Sequence, residues 1–230
     1  MPAAEAGFRR VDGFAALLAT PFSAEVNALC WPRSLPGDFG AVVAALGPGE
    51  GIVELTEQRL QGLPLDPPGR RAVEAMLADL ARLRAHDLAP SLNCVHDCVP
   101  AADGATVPTE VTSFHVDSAP IEVDTWLCTY HGASSEGLRP GDAVPKVEMP
   151  EIRAALLREY GGADDAGFAA FLDEHSYDSH YVPRPGATPY AFGTGALWRI
   201  ATRWPGSPAP ACVHRAPANP PGAPRLLLIS

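Results

Sequence analysis

The chain has 230 residues and a formal net charge of −10, which argues against binding along a nucleic-acid backbone, where clustered Lys and Arg supply most of the affinity. We find neither a signal segment nor a run of about 18 apolar residues, so we expect no secretion and no membrane span. Five cysteines, an odd number, do not resemble a secreted disulfide framework. We therefore expect one cytoplasmic domain covering residues 1–230.

The first 90 residues are predicted to be mainly helical and to support the rest of the chain. Helices are predicted over residues 14–18, 38–46 and 70–84, and in the last of these the apolar residues recur on one face. The segment Pro67-Pro68-Gly69 is expected to end whatever precedes that helix. We predict no catalytic residues in this half, and we interpret Trp31 and Arg33 as packing residues.

From residue 92 onwards, short runs rich in Val, Thr, aromatic residues and Cys alternate with turn residues. Strands are predicted over residues 92–99, 111–116, 121–130, 190–200, 211–214 and 225–229. This spacing favours a sandwich or barrel. A helical insertion at about residues 149–176 interrupts the strands, with helices predicted over 151–160 and 165–174. The fold class is therefore predicted to be α+β.

The segment Phe114-His115-Val116-Asp117 is the first candidate for chemistry. On a strand, residues two apart point to the same face, so His115 and Asp117 would project together. Two histidines and one carboxylate leave coordination positions open, which suits oxygen-activating Fe(II), but the third ligand must come from another strand. A lone His-x-Asp triplet is also typical of a simple surface pair.

The C-terminal region offers that third ligand. A strand ends in Cys212-Val213-His214, and the next strand opens with Arg225, eleven positions after His214. Arg215, directly after His214, is expected to point away from a metal and to form a salt bridge.

The sequence resembles the Fe(II)/2-oxoglutarate-dependent oxygenase superfamily in the order of four residues, His115, Asp117, His214 and Arg225. The fold of that superfamily is a double-stranded β-helix (jelly-roll or cupin-like). The resemblance implies that the first three hold Fe(II) and that Arg225 binds the distal carboxylate of 2-oxoglutarate, which suits a planar guanidinium. Thr129 lies on a strand that would face this co-substrate.

A closer resemblance is to an uncharacterised bacterial family of that type. It rests on the FHVD segment at 114–117, the Thr-Tyr-x-Gly pattern at 129–132, HRxP at 214–217 and RLLL at 225–228, and it spans the chain from about residue 25 to the end. This family indicates no substrate.

The resemblance implies oxidation, by hydroxylation or a related reaction, of an unactivated C–H group in a small molecule or a peptide residue. O2 is consumed, and succinate and CO2 are released. Asp117 favours hydroxylation, because halogenating relatives carry a small residue at this position. We expect no nucleic-acid or membrane partner, and the sequence leaves the oligomeric state open.

Three other functions stay open: a cupin-like metalloenzyme that does not use 2-oxoglutarate, a zinc-binding metal-homeostasis protein, and a catalytically inactive β-helix that serves as a binding module. Cys94, His96 and Cys98 fit either a structural zinc site or buried small residues. The polar segment 174–181 fits a lid, a second metal patch or an exposed loop.

Overall fold

The computed structural model of the protein describes residues 7–97, 106–107, 110–175, 180–220 and 222–230. These residues form a mixed α+β fold in which helices flank a large and mostly antiparallel sheet. Among the described helices, none combines the length and the apolar character that crossing a membrane requires.

Seven of the strands form the large sheet. In chain order the strands are β1 (Gly7–Arg10), β2 (Val26–Trp31), β3 (Ile52–Glu54), β4 (Ser91–Val95), β5 (Asp124–His131), β6 (Glu136–Gly137), β7 (Ala143–Pro145), β8 (Tyr181–Pro183), β9 (Tyr190–Ala191), β10 (Leu197–Ala201), β11 (His214–Arg215) and β12 (Arg225–Ile229). The spatial order in the large sheet is β1-β2-β10-β5-β12-β4-β3. β1 pairs with β2 in parallel, and the other neighbouring strands are antiparallel.

The remaining strands form two small sheets, one with the order β11-β6-β9 and the other made of β7 and β8. His115 connects them, because it forms an antiparallel bridge with His214 in β11 and another with His180, the residue before β8. We call the two small sheets and the His115 segment that connects them the second layer. The second layer and the large sheet both contribute residues to one cavity.

Helices cover the other face of the large sheet. They are α1 (Phe14–Ala19), α2 (Phe39–Leu46), α3 (Glu57–Gln61) and α4 (Pro67–Arg84). Two further helices, α5 (Pro150–Tyr160) and α6 (Ala166–His175), lie between β7 and β8 in the chain and pack against each other. In α4 the buried residues Met76, Leu80 and Leu83 recur at helical spacing and belong to the same apolar core as Trp126 and Leu228 of the sheet.

A buried polar network also joins α4 to the sheet. Asp79 is 1% exposed, and its carboxylate accepts hydrogen bonds from Arg33 at 2.6 and 2.5 Å, from Arg82 at 2.5 Å and from the Tyr130 hydroxyl at 2.9 Å. Burial raises the pKa of Tyr130 well above its ordinary value, so its hydroxyl stays protonated and donates. Arg33, interpreted from the sequence as a packing residue, therefore packs through an ion pair.

The predicted helices are present with shifted ends, and the largest correction concerns α4. This helix begins at Pro67 and not at residue 70, because Pro fits the first turn, where no backbone N–H needs an intrahelical partner. The Asp66 side chain caps the helix by accepting a hydrogen bond from the Gly69 backbone N–H at 2.8 Å.

The strand predictions need several corrections. The strand predicted over 211–214 is only the two-residue β11, which begins at His214 and does not end there. Residues 111–116 do not form a regular strand, and His115 makes only isolated bridges there. The single run predicted over 190–200 is two strands in different sheets, since Gly193 and Gly195 adopt positive φ angles of 72° and 80° between them. The N-terminal part also contributes β1, β2 and β3, which the sequence analysis did not predict.

Candidate metal centre and its cavity

The fold brings His115, Asp117 and His214 together, although His214 is 97 positions from Asp117 in the chain. One ligand atom from each residue lies within 4.8 Å of the other two. His115 Nε2 is 3.9 Å from Asp117 Oδ1, and His214 Nε2 is 3.7 Å from Asp117 Oδ2. Among the described residues, no other group of His, Cys, Asp and Glu side chains converges in this way.

The two imidazoles are oriented by the backbone. His115 Nδ1 is 2.8 Å from the Ser113 carbonyl oxygen, and His214 Nδ1 is 3.2 Å from the Cys212 carbonyl oxygen. Each Nδ1 therefore carries the proton and donates, which leaves the Nε2 lone pair directed toward Asp117. Burial lowers the pKa of His214, although Asp117 acts in the opposite direction, and this favours the neutral imidazole that a metal requires.

The Asp117 carboxylate is held by a hydroxyl. Thr125, on β5, donates to Asp117 Oδ2 at 2.5 Å, and the Thr125 hydroxyl is 3.2 Å from that of Thr202. Asp117 remains 32% exposed in its side chain, so one part of the carboxylate faces open space while Thr125 fixes the other. Sequence analysis did not predict Thr125, because nothing in its local pattern distinguishes it from other strand threonines.

Arg225 lies in the same cavity and is 2% exposed. Its Nε donates to the Ala133 carbonyl oxygen at 2.7 Å, and its Nη2 donates to Ser135 Oγ at 3.3 Å. Glycine at position 132 allows Arg225 to pack close to the backbone there. Gly132 has a φ of +83°, and a Cβ atom at this position would lie 2.9 Å from Arg225 Cγ. Ser135 is a second residue that the sequence analysis did not single out.

The cavity has a volume of about 420 Å³ and lies between the two layers. From the large sheet it is lined by alternate residues of β12, which are Arg225, Leu227 and Ile229, and by alternate residues of β4, which are Ser91, Asn93 and Val95. Its remaining lining residues are Ile52, Val111, His115, Asp117, Leu127, Ser135, His214 and Ala216.

Thr129, predicted to contact a co-substrate, is not among the residues that line this cavity. It pairs with Leu227 across the β5–β12 register, is 2% exposed, and its hydroxyl has no hydrogen-bond partner. Thr129 therefore lies on the same face of the sheet as the cavity-lining Leu227 without itself lining the cavity, and its role as a binding residue stays a prediction.

His180 is the described residue of segment 174–181 that lies closest to the centre. Its ring centroid is 5.8 Å from that of His115, it is 4% exposed, and its Nδ1 has no hydrogen-bond partner. Burial lowers its pKa to about 4, with His115 and Lys146 acting in the same direction. Residues 176–179 of the segment lie outside the described residues, so the lid hypothesis stays a prediction.

The alternative zinc site gains no support from the described residues. Cys94 is 1% exposed and packs in the core on the helix side of the sheet, whereas its neighbours Asn93 and Val95 line the cavity. Cys98 lies outside the described residues. Arg215 forms the expected salt bridge, with Nη2 2.8 Å from Glu136 Oε2.

No protein-family model, no curated protein and no solved structure matches the chain.

Proposed function

We propose that the protein is an Fe(II)- and 2-oxoglutarate-dependent oxygenase that hydroxylates, or oxidises in a related way, a C–H group of its substrate. One observation carries the proposal: a cluster of two histidines and one aspartate shares a cavity with a buried arginine. A metal-binding protein needs the cluster but has no need for the arginine.

The donor set fits a divalent iron ion. Two imidazole nitrogens and one carboxylate oxygen on one side of a metal leave positions for a chelating co-substrate and for O2. The backbone carbonyls of Ser113 and Cys212 set both tautomers, and Thr125 orients the carboxylate, so the ligands are held in place by their surroundings.

The far end of the cavity fits the second carboxylate of 2-oxoglutarate. Arg225 presents a buried guanidinium beside the Ser135 hydroxyl, and Leu227 and Val95 provide apolar walls. A carboxylate in such surroundings needs a charged and geometrically matched partner, which a guanidinium provides. Arg225 is the residue that separates this proposal from a cupin-like enzyme without 2-oxoglutarate.

The double-stranded β-helix is part of the same proposal. Two facing layers of mainly antiparallel strands support it, because their inward residues supply the metal ligands from one layer and Arg225 from the other. The helices outside the large sheet act as support.

In the proposed reaction, bound iron and 2-oxoglutarate supply the oxidising power, so that C–H, O2 and 2-oxoglutarate become C–OH, succinate and CO2. The residues of the chain position the reactants. Arg225 and Ser135 orient the co-substrate carboxylate, Thr125 keeps Asp117 in one orientation, and the apolar walls exclude water from the reacting atoms.

The proposal is tested by measuring succinate formed from 2-oxoglutarate with Fe(II) and O2, beside His214→Ala and the exposed control His86→Ala. We expect the wild-type protein and His86→Ala to release succinate, and we expect this release to stop when Fe(II) is withheld. His214→Ala should release none. Oxygen consumption that is independent of 2-oxoglutarate would instead favour a cupin-like enzyme. Preferential binding of Zn(II) without succinate release would favour a metal-homeostasis protein.

A further inference from the structure

The cavity has few charged side chains, and the proposed function assigns a binding partner to each of them. Among its described lining residues, Arg225 is the only Lys or Arg and Asp117 is the only Asp or Glu. If Asp117 binds the metal and Arg225 binds 2-oxoglutarate, no lining side chain remains to pair with a charged substrate.

The rest of the lining is mainly aliphatic. Three of its apolar side chains are large and strongly exposed, since Ile52 is 65%, Val111 49% and Ile229 41% exposed. No Phe, Tyr or Trp side chain lines the cavity within the described residues, so a planar ring finds no such stacking partner there.

Ile229 lies at the metal end of the cavity. It pairs with Leu127 across the β5–β12 register, and Leu127 is two residues after Thr125, whose hydroxyl bonds Asp117. Arg225 is four residues earlier on β12, about 13 Å away at 3.3 Å per strand residue. A co-substrate that extends from the metal toward Arg225 runs along β12 past Leu227, and Leu127 and Ile229 form the wall at the metal end, where the substrate must bring its C–H group.

The polar groups on this part of the wall are neutral. Asn93 Nδ2 donates to Ser91 Oγ at 2.9 Å, so the two side chains partly satisfy each other. They can offer a hydrogen bond to an uncharged polar group, but they cannot neutralise an ion. Burial of an unpaired charge against this wall would be strongly unfavourable.

We infer that the substrate is an uncharged small molecule that places an apolar, non-planar group against Leu127 and Ile229 beside the metal. This inference rests on the proposed function, because it requires Arg225 and Asp117 to be occupied by 2-oxoglutarate and the metal.

Three probes of similar size and different charge test the inference: cyclohexylmethanol, cyclohexylmethylamine and cyclohexanecarboxylate. Binding is measured by ligand-detected NMR on protein saturated with 2-oxoglutarate and with Zn(II) in place of Fe(II), so that the complex is diamagnetic and does not turn over. We expect the alcohol to bind at least tenfold more tightly than either charged probe.

The variant Ile229→Lys should reverse that preference, since its ammonium group can pair with the carboxylate probe. We expect cyclohexanecarboxylate to gain at least tenfold in affinity relative to the alcohol. Ile121→Lys is the matched control, because Ile121 is 66% exposed and lies outside the cavity lining. It should keep the wild-type order of the probes and the wild-type affinity for 2-oxoglutarate.

Equal binding of the three probes to the wild-type protein, or identical behaviour of the two lysine variants, would overturn the inference. If the wild-type protein binds the metal and 2-oxoglutarate but none of the probes, the substrate inference fails and the proposed function stands. If it binds neither the metal nor 2-oxoglutarate, the proposed function fails and the inference fails with it.

Discussion

At the scale of single residues, the candidate site depends on groups that orient the three ligands as much as on the ligands themselves. Two backbone carbonyls set the imidazole tautomers, and the Thr125 hydroxyl holds one oxygen of Asp117. The ligands were predictable because their residue types and order are distinctive. Thr125 and Ser135 were not, because a hydroxyl becomes part of a site only through the distant residues that the fold brings to it.

The first prediction concerns the two histidines. His115→Ala and His214→Ala should each lower the affinity for Fe(II) by more than about 100-fold, because each removes a ligand rather than a residue that supports one. Affinity is measured by anaerobic titration, and circular dichroism checks the fold. His86→Ala should bind Fe(II) as the wild type does. Unchanged affinity in either ligand variant would remove that histidine from the metal site.

The second prediction concerns Thr125. Thr125→Val keeps the shape of the side chain but removes the donor to Asp117, so the affinity for Fe(II) should fall by about 10- to 100-fold. Thr125→Ser restores a hydroxyl and should recover most of the loss in the same titration. Equal losses in both variants would indicate that packing, and not the hydrogen bond, matters at this position.

At the scale of secondary-structure elements, the helices were easier to predict than the strands. The regular apolar face of α4 indicated a helix from the sequence alone. β2 was missed because five of its six residues are buried, so it lacks the alternation of a half-exposed strand. Residues 111–116, which include His115, were predicted as a strand, yet an isolated bridge between His115 and His214 is sufficient to bring these two histidines together.

The third prediction concerns the turn after β5. Gly132→Ala should destabilise the protein by about 1–3 kcal/mol more than Gly186→Ala, since the added Cβ would lie 2.9 Å from both Arg225 Cγ and the Pro224 carbonyl oxygen. Gly186 is the matched control because its φ of +84° is nearly the same and nothing lies within 4 Å of its Cβ position.

Urea denaturation measures this difference in the free energy of unfolding. Gly132→Ala should also weaken binding of 2-oxoglutarate, because Arg225 must move to accommodate the methyl group. Equal destabilisation by the two substitutions, with unchanged binding of 2-oxoglutarate, would show that the close approach is unimportant.

At the scale of the whole molecule, the helical layer and the sheet depend on each other. Asp79 on α4 pairs with Arg33, 46 positions earlier, and accepts a hydrogen bond from Tyr130 on β5, 51 positions later. Local patterns indicated the helix and the strand, but not this network, because partners so far apart leave no periodic signal in the sequence.

The fourth prediction follows from that network. Asp79→Asn should lower the free energy of unfolding by about 3–5 kcal/mol, because it leaves the buried Arg33 guanidinium without its anionic partner. Asp164→Asn is the control, since it removes the charge from a pair in which Asp164 is 48% and Arg153 38% exposed, and solvent screening should make its cost much smaller than that of Asp79→Asn. Similar losses in urea denaturation would contradict the structural role of the Asp79 network.

The fifth prediction concerns Arg225, which we expect to affect the binding of 2-oxoglutarate but not the binding of Fe(II). Arg225→Gln should raise the concentration of 2-oxoglutarate needed for half-saturation by at least about tenfold, because it removes the charged partner of the carboxylate. Its affinity for Fe(II), measured by anaerobic titration, should stay close to that of the wild type. A parallel loss of both affinities would indicate a general folding defect.

The central claim is that His115, Asp117 and His214 hold one iron ion to which 2-oxoglutarate can chelate while Arg225 binds its other end. It is tested most directly by adding 2-oxoglutarate to anaerobic, Fe(II)-loaded protein and recording the visible absorption spectrum. We predict one Fe(II) per chain and a charge-transfer band that appears with 2-oxoglutarate and is absent in His214→Ala. Bound Fe(II) without such a band at saturating 2-oxoglutarate, or an equal band in His214→Ala, would contradict the account.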